Sequence, residues 1–294
     1  MKGQAPSVFV TLSEAKGLAQ RSARCFASLS MTICALLALV VAACNAMPTP
    51  RVSVHLTLIG DDSMQWLGNA LANVYSQQHP NVTISVQSAN ADTALSSVTE
   101  ISGTIGMISR VVKPNELNGE RAIVVARDGI AVIVNRENPI NAIMTSQIAQ
   151  VFSGEISTWP TGPNAGKLIT VVSREDGSGT RDAFEAMAIA PRGERVTRTA
   201  VVMPGEAAVV DYVARHPDAI GYCSMSSVTD AVQAMTVDDV PLTPQNVESQ
   251  KYPFVRTLAF IVPLMPGPTM QDFINFTLGS EGQRIIAQKY GRAP

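Results

Sequence analysis

The chain has 294 residues, 46% of them hydrophobic and 16% charged, with a formal net charge of −2. That composition excludes a disordered tail and suits one large or two modest globular domains. No stripe of Lys and Arg and no ladder of interleaved aromatics appears, which excludes nucleic acid as a partner.

Lys16, Arg21 and Arg24 precede an apolar run over 31–43, too short to span a bilayer comfortably but suited to a signal-peptide core. The run ends in Val41-Ala42-Ala43-Cys44, which resembles the bacterial lipobox. Residues 1–43 are therefore read as a lipoprotein signal peptide, Cys44 as the lipidated residue and 44–50 as a tether; the alternative is a short anchor helix with a chance Cys. Cys25 and Cys34 would leave with the signal, so Cys223 is the one remaining free thiol and no intrachain disulfide forms.

Downstream, strand and helix patterns alternate. A strand over 54–59 runs into Gly60-Asp61-Asp62-Ser63-Met64, followed by a helix over 65–78 with apolar residues spaced three and four apart. A strand over 82–86 leads to the polar turn 88–93, with Asp92 as the expected cap of a helix reaching Ile101. A short strand ends at Ser109-Arg110, and strands are expected over 122–126 and 129–135, the second a continuous apolar run of the doubly buried kind. Thr145 is expected to cap a helix reaching Phe152, and Trp159 to pack in the core. A strand over 168–173 then delivers Arg174-Glu175-Asp176-Gly177-Ser178-Gly179-Thr180. Helices over 181–188 and 206–215, a strand over 219–223, a helical or irregular stretch over 226–235, a polar surface segment over 238–250, a long strand over 254–262 and two helices over 270–278 and 281–290 complete the chain. The alternation predicts an α/β fold with mostly parallel sheets.

The block from Arg174 to Thr180 concentrates the chemistry. Two glycines bracket Ser178, so the backbone can turn tightly. The helix start that follows offers unpaired N–H groups, Ser178 and Thr180 add hydroxyls, and Arg174 adds a cationic fork. Ser178 as a simple N-cap is the bland alternative. Ser63, the 88–92 turn and Ser109-Arg110 occupy equivalent places beyond strand ends, where open α/β sheets bind ligands. These turns together predict a cradle for a tetrahedral oxyanion.

The ordered motifs resemble the phosphate-binding subunit of bacterial phosphate ABC transporters, a type II periplasmic binding protein. The resemblance is carried by Gly60 to Met64, Ile105-Gly106-Met107-Ile108-Ser109-Arg110, Asp128 to Asn135, Asn138-Pro139, Phe152 to Trp159, Arg174 to Phe184, Ala219-Ile220-Gly221-Tyr222, Tyr252-Pro253 with Arg256, and Gly279 to Gln283. It implies two α/β lobes joined by two crossover strands over 129–135 and 254–262. One lobe would hold 51–131 plus 254–294, the other 132–253. It further implies ligand contacts from Ser63, the Met64 N–H, Arg110, Arg174, Ser178, the Gly179 N–H and Thr180, with Asp176 orienting Arg174 from behind. The Gly-Ser-Gly turn usual in this family is Asn90-Ala91-Asp92 here, leaving Ser88 or Thr93 to supply the hydroxyl, and the usual Asp before Ile-Gly is Thr104.

The function implied is an extracytoplasmic, lipid-anchored monomer that takes inorganic phosphate and delivers it to an ABC permease, with no metal or cofactor. Selecting phosphate over sulfate requires an acceptor for the phosphate proton. Asp62 is the candidate, followed by Asp61 and Asp92, against the alternative that Asp62 caps its own helix. A sensor or binder of sulfate, molybdate or arsenate is the nearest alternative. A phosphatase or serine hydrolase is the more distant one: His55, His79 and His216 lie away from the motifs, and neither a nucleophile elbow nor a P-loop is present.

Overall fold

The computed structural model describes residues 53–294. The expected signal peptide, Cys44 and the tether fall outside the described residues.

The chain opens with β1 (Val54–Gly60), α1 (Gln65–Gln78), β2 (Val82–Ser88), α2 (Ala91–Glu100) and β3 (Thr104–Ile108). β1 lies between β2 and β3 with both pairings parallel. The helix α1 buries Leu67, Leu71, Ala72 and Tyr75, the face that the spacing of apolar residues specified. Its sharp entry is made by Gly60, whose φ of 154° and lack of a side chain let the backbone pass the Met107 carbonyl; a Cβ would overlap that oxygen. The cap of α2 is Asn90, whose side chain accepts the Thr93 N–H, and not Asp92.

A single strand, β4 (Glu120–Asn135), replaces the two expected over 122–126 and 129–135. Gly129 does not interrupt it, because Gly129 stays paired with Val255 and a Cβ there would meet Leu242 and Val247. Beyond β4 come β5 (Ala142–Ile143), α3 (Thr145–Ser153), β6 (Thr170–Arg174), α4 (Gly179–Phe184) and a π-helical turn over Glu185–Ile189. Thr145 is the first residue of α3, not its cap, and donates to Asp238 instead. Next are β7 (Val201–Met203), α5 (Glu206–Arg215), β8 (Ala219–Ser224), β9 (Val232–Ala234), β10 (Thr236–Val237) and α6 (Pro244–Glu248). The last elements are β11 (Val255–Pro263), α7 (Pro268–Leu278), α8 (Ser280–Ile286) and β12 (Gly291–Arg292).

The strand order is β2-β1-β3-β11-β4-β8-β6-β7, parallel in the outer strands of each wing and antiparallel around β4 and β11. Two wings result, each with its own core. Leu58, Leu71, Tyr75, Phe260 and Phe273 anchor the first, and Phe152, Phe184, Tyr222 and Phe254 the second. β4 serves both, giving Val125 and Ala126 to the first and Ile130, Val132 and Val134 to the second. The segment entering β11 does likewise, through Phe254 in the second core and Leu258 and Phe260 in the first. These two strands are where the chain crosses between wings. Trp159 is buried as expected and donates its indole N–H to the Asp218 carbonyl. Among the described residues no helix is long and apolar enough to cross a membrane.

Cys223 is fully buried on β8, and burial together with the charges of Glu206 and Asp128 pushes its thiol well above the ordinary range. A thiol that stays protonated and shielded does not alkylate. Iodoacetamide should therefore leave the Cys223 peptide unmodified in the folded protein and modify it in denaturant, as read by mass spectrometry; labelling at equal rates in both states would contradict the burial.

Candidate functional site: a polar cleft between two strand ends

A cavity of 230 Å³ lies where the C-terminal ends of β1 and β2 face that of β6. Asp61, Asp62, Ser63, Ser88, Ala89 and Asn90 line one side of it, and the run Arg174 to Thr180 together with Pro204 lines the other. Two stretches more than eighty residues apart are thereby brought to one space. The turn after β1 is a single 3-10 turn over Asp62–Met64, which buries Ser63. The Ser63 Oγ is buried without a hydrogen-bond partner, while its carbonyl accepts from the Tyr290 hydroxyl. A buried hydroxyl without a partner costs about 1–3 kcal/mol, so its place in a cavity wall marks a point where a polar ligand would be satisfied.

On the opposite wall Ser178 is the N-cap of α4, its Oγ accepting the Arg181 N–H at 3.3 Å. Capping and ligand contact are compatible here, because the hydroxyl proton remains free to donate. Arg174 is buried at the end of β6. Its Nε and Nη2 donate to the two Glu175 carboxylate oxygens at 3.1 and 2.9 Å, and its Nη1 donates to Glu206 Oε1 at 2.8 Å. Three of its five N–H groups are thus engaged and two remain. Its backbone N–H meets the Tyr222 hydroxyl, which also pairs with Ser173. Burial raises the Tyr222 phenol to about 12, so it stays neutral.

The residue that orients Arg174 is not Asp176. Asp176 has a side chain 97% exposed and pairs with Arg181 at 2.6 Å. Orientation falls to Glu175 and to Glu206, the first residue of α5, which sequence reasoning passed over. Glu206 is buried; its Oε1 also accepts the Thr180 hydroxyl at 2.5 Å, and its Oε2 accepts the Ser224 N–H at 2.7 Å. The only sequence signal was an acidic residue in a helix first turn, which is commonplace on exposed helices.

The remaining expected positions divide. Met64 has a fully buried side chain, and its N–H is already bonded to the Asp61 carbonyl within the 3-10 turn, so that expected donor is spent. Arg110 does not line this cavity. It forms a bidentate pair with Glu116 at 2.7 and 3.0 Å, lies 3.7 Å from Asp182, and borders a separate cavity. Ser88 lines the cleft, whereas Asp92 lies outside it on a groove beside Ser96 and Glu120.

Asp62 caps neither its own turn nor α1. Its Oδ2 accepts the backbone N–H of Glu206 at 2.6 Å, a bond across the cleft to the start of α5. Asp61 is the more buried carboxylate; its Oδ2 accepts both the N–H and the hydroxyl of Ser109 at 2.6 and 2.8 Å. Burial raises the Asp61 carboxyl above its ordinary value, with the Ser109 bonds and the charges of Arg256 and Arg110 opposing the shift. Behind it, Ser109 accepts from Arg256 Nη1 at 3.1 Å, and Arg256 clasps Asp128 at 2.7 and 2.9 Å. Ser224 donates to Asp128 at 2.9 Å and so closes a chain of buried polar groups back to Glu206. Arg256 was expected only as part of a motif; its role in this chain depends on β4 and β11 being neighbours.

No group of three or more His, Cys, Asp or Glu able to hold a metal occurs among the described residues. What the arrangement can do is hold a small polyatomic anion through hydroxyls, guanidinium N–H groups and helix-start amides.

The profile of the PBP superfamily domain matches residues 45–281. The chain belongs to that superfamily. It is 30% identical over 250 residues to the phosphate-binding protein PstS of Bacillus subtilis, an alignment covering 83% of this chain and 82% of the relative. The same comparison with PstS of Pseudomonas aeruginosa gives 28% over 267 residues, covering 81% and 82%. Among solved structures, a phosphate ABC transporter substrate-binding protein from Clostridium perfringens, crystallised with bound phosphate, superposes with a TM-score of 0.76 at 31% identity, covering 82% of this chain and all of that one. An ABC-type phosphate transport receptor from Vibrio cholerae superposes with a TM-score of 0.66 at 26% identity, covering 81% of this chain and all of that one. The two wings seen here are the lobes of the type II periplasmic binding fold.

Gly179 shows how closely the lobes approach. A Cβ on it would overlap the Asp61 carboxylate and the Ser109 hydroxyl, which hold one another in place. Gly179→Ala should therefore keep the protein folded but hold the lobes apart, giving a larger radius of gyration by small-angle scattering than the parent under the same conditions. An unchanged radius would mean that this contact does not limit closure.

Proposed function

We propose that this chain captures inorganic phosphate between its lobes and delivers it to an ABC permease. The observation that carries the reading is the partnerless Ser63 hydroxyl, aligned in one cavity with Arg174, Ser178 and the first turn of α4. The names of the relatives and the phosphate bound to the Clostridium structure support the choice of anion. One lobe comprises 51–131 plus 254–294 and the other 132–253, with β4 and β11 as hinge strands. The protein acts as a monomer outside the cytoplasm, anchored through lipid on Cys44.

No bond making is required. Ser63, Ser178, the two spare N–H groups of Arg174 and the amides at Gly179 and Thr180 provide the donors. A hydrogen bond to a charged group contributes roughly 1.5–3 kcal/mol, and micromolar affinity needs about 8 kcal/mol, so several such donors suffice. Closure removes the anion from water and changes the outer surface offered to the permease. Asp62 stabilises the closed form through its bond to the start of α5, so it serves the latch, while Asp61 is the more buried carboxylate beside the anion.

Calorimetry with phosphate, sulfate, molybdate and arsenate tests the reading. Phosphate should bind in the micromolar range or tighter, and Arg174→Ala should cost roughly 2–5 kcal/mol of that affinity with the fold retained, because the cationic donor is lost and the buried Glu206 carboxylate beside the cleft is left without its cation. Tight sulfate binding with no heat from phosphate would assign the site to a different oxyanion. For the anchor, radiolabelled palmitate should appear in the full chain expressed in bacteria and be lost in Cys44→Ser; label retained in that variant would move the lipid elsewhere.

A further inference from the structure

Three hydroxyls line the cleft from the two key turns, and their protons are disposed differently. Ser63 Oγ has no partner, and Ser178 Oγ accepts from the Arg181 N–H, so both can donate to an anion. Thr180 is almost wholly buried, and its only hydroxyl proton goes to Glu206 Oε1 at 2.5 Å. A hydroxyl carries one donor and two lone pairs, so towards anything else Thr180 Oγ1 is an acceptor.

Glu206 has no freedom to release that proton. Oε1 takes Arg174 Nη1 as well, Oε2 takes the Ser224 N–H, and the residue's own N–H is tied to Asp62 across the cleft. The Ser224 hydroxyl is in turn held by Asp128, whose charge is met by Arg256. The whole environment of the carboxylate is built to keep its oxygens accepting.

We propose that Glu206 is a specificity-determining residue of this site, acting through the Thr180 hydroxyl so that the cleft selects an oxyanion that still carries a proton. A phosphate with one P–OH donates into the Thr180 lone pairs. Sulfate, fully ionised near neutral pH, would bring lone pairs against lone pairs at the same point. This role goes further than phosphate capture and rests on it. It places the reader of the ligand's proton on the second lobe, one residue removed from the anion, instead of on the Asp61-Asp62 turn. Because Glu206 also orients Arg174, one carboxylate prepares both an acceptor and a cationic donor.

The test is calorimetry of phosphate and sulfate at pH 8 on the parent, Glu206→Gln, Thr180→Val and the double variant, with melting temperatures to verify folding. A neutral amide holds the threonine proton less firmly than a carboxylate, so Thr180 becomes able to donate to sulfate. The ratio of phosphate to sulfate affinity should fall at least about tenfold in Glu206→Gln. It should also fall in Thr180→Val, which removes the acceptor itself. In the Thr180→Val background, adding Glu206→Gln should change the ratio by no more than about twofold, since the two act as one unit. A purely structural role for Glu206 would weaken both anions alike and leave the ratio unchanged, which would overturn the proposal. Should Glu206→Gln fail to fold, Thr180→Val decides alone: a retained ratio overturns the proposal and a lost one supports it. A parent that binds both anions equally overturns this inference and spares the phosphate reading; a parent that binds no phosphate overturns both.

Discussion

The guanidinium of Arg174, buried between Glu175 and Glu206, is the interaction on which the site depends. A buried cation without partners would be prohibitive, and a buried carboxylate without partners equally so. Each therefore requires the other. Burial raises the Glu206 carboxyl above its ordinary value, and the charges of Arg174 and Arg256 with the bonds from Thr180 and Ser224 oppose that shift. Breaking such a pair by removing one member typically costs about 3–5 kcal/mol, far more than the pair contributes in net stability. A group held this way is arranged in advance and would need little reordering to meet a ligand.

The same logic extends through the hinge. From Glu206 the chain of contacts passes by Ser224 to Asp128, then Arg256, Ser109 and Asp61, with every direct side-chain link at 3.1 Å or less. Asp128 and Arg256 stand opposite one another on β4 and β11, where the chain crosses between lobes. Polar groups buried at that point are satisfied only when both lobes are in register around the two strands. Hydrophobic packing alone would tolerate sliding of one lobe on the other; a fully paired polar network does not. The hinge thereby carries orientation as well as connection, and the cleft walls on both sides are tied to it.

Two contacts of different kinds join the walls of the cleft. The Asp62 bond to the start of α5 is a charged acceptor placed on a helix N-terminus, favourable through both the hydrogen bond and the dipole. The approach of Gly179 to Asp61 and Ser109 is steric and works only without a side chain. Together they explain why the acidic pair after β1 does not behave as a simple helix cap. Neither carboxylate serves its own turn: Asp61 holds Ser109, just beyond the end of the neighbouring strand, and Asp62 holds the opposite lobe. The cleft is consequently lined by several carboxylates and one guanidinium, so directed hydrogen bonds rather than net charge would have to hold an anion there.

Much of this architecture is legible in the order of residues. The strand ends, the Gly-Ser-Gly turn, the helix periods and the buried run of β4 follow from residue type and spacing within short windows, and local sterics and burial decide them. Hence Ser63, Ser88, Arg174 and the Ser178 to Thr180 turn can be named from sequence. The misassigned support of Arg174 is non-local, whereas Met64 and Arg110 are taken by near neighbours in the chain. Asp176 stands two residues from Arg174 and looks like its support, yet Glu206, thirty-two positions away, provides it. Arg110 and Met64 match a motif, but Glu116 takes the first and a 3-10 turn uses the N–H of the second. Sequence by itself determined which turns exist and what chemistry they carry. Only the tertiary structure decided which donor meets which acceptor, because that depends on strands distant in the chain becoming neighbours in the sheet.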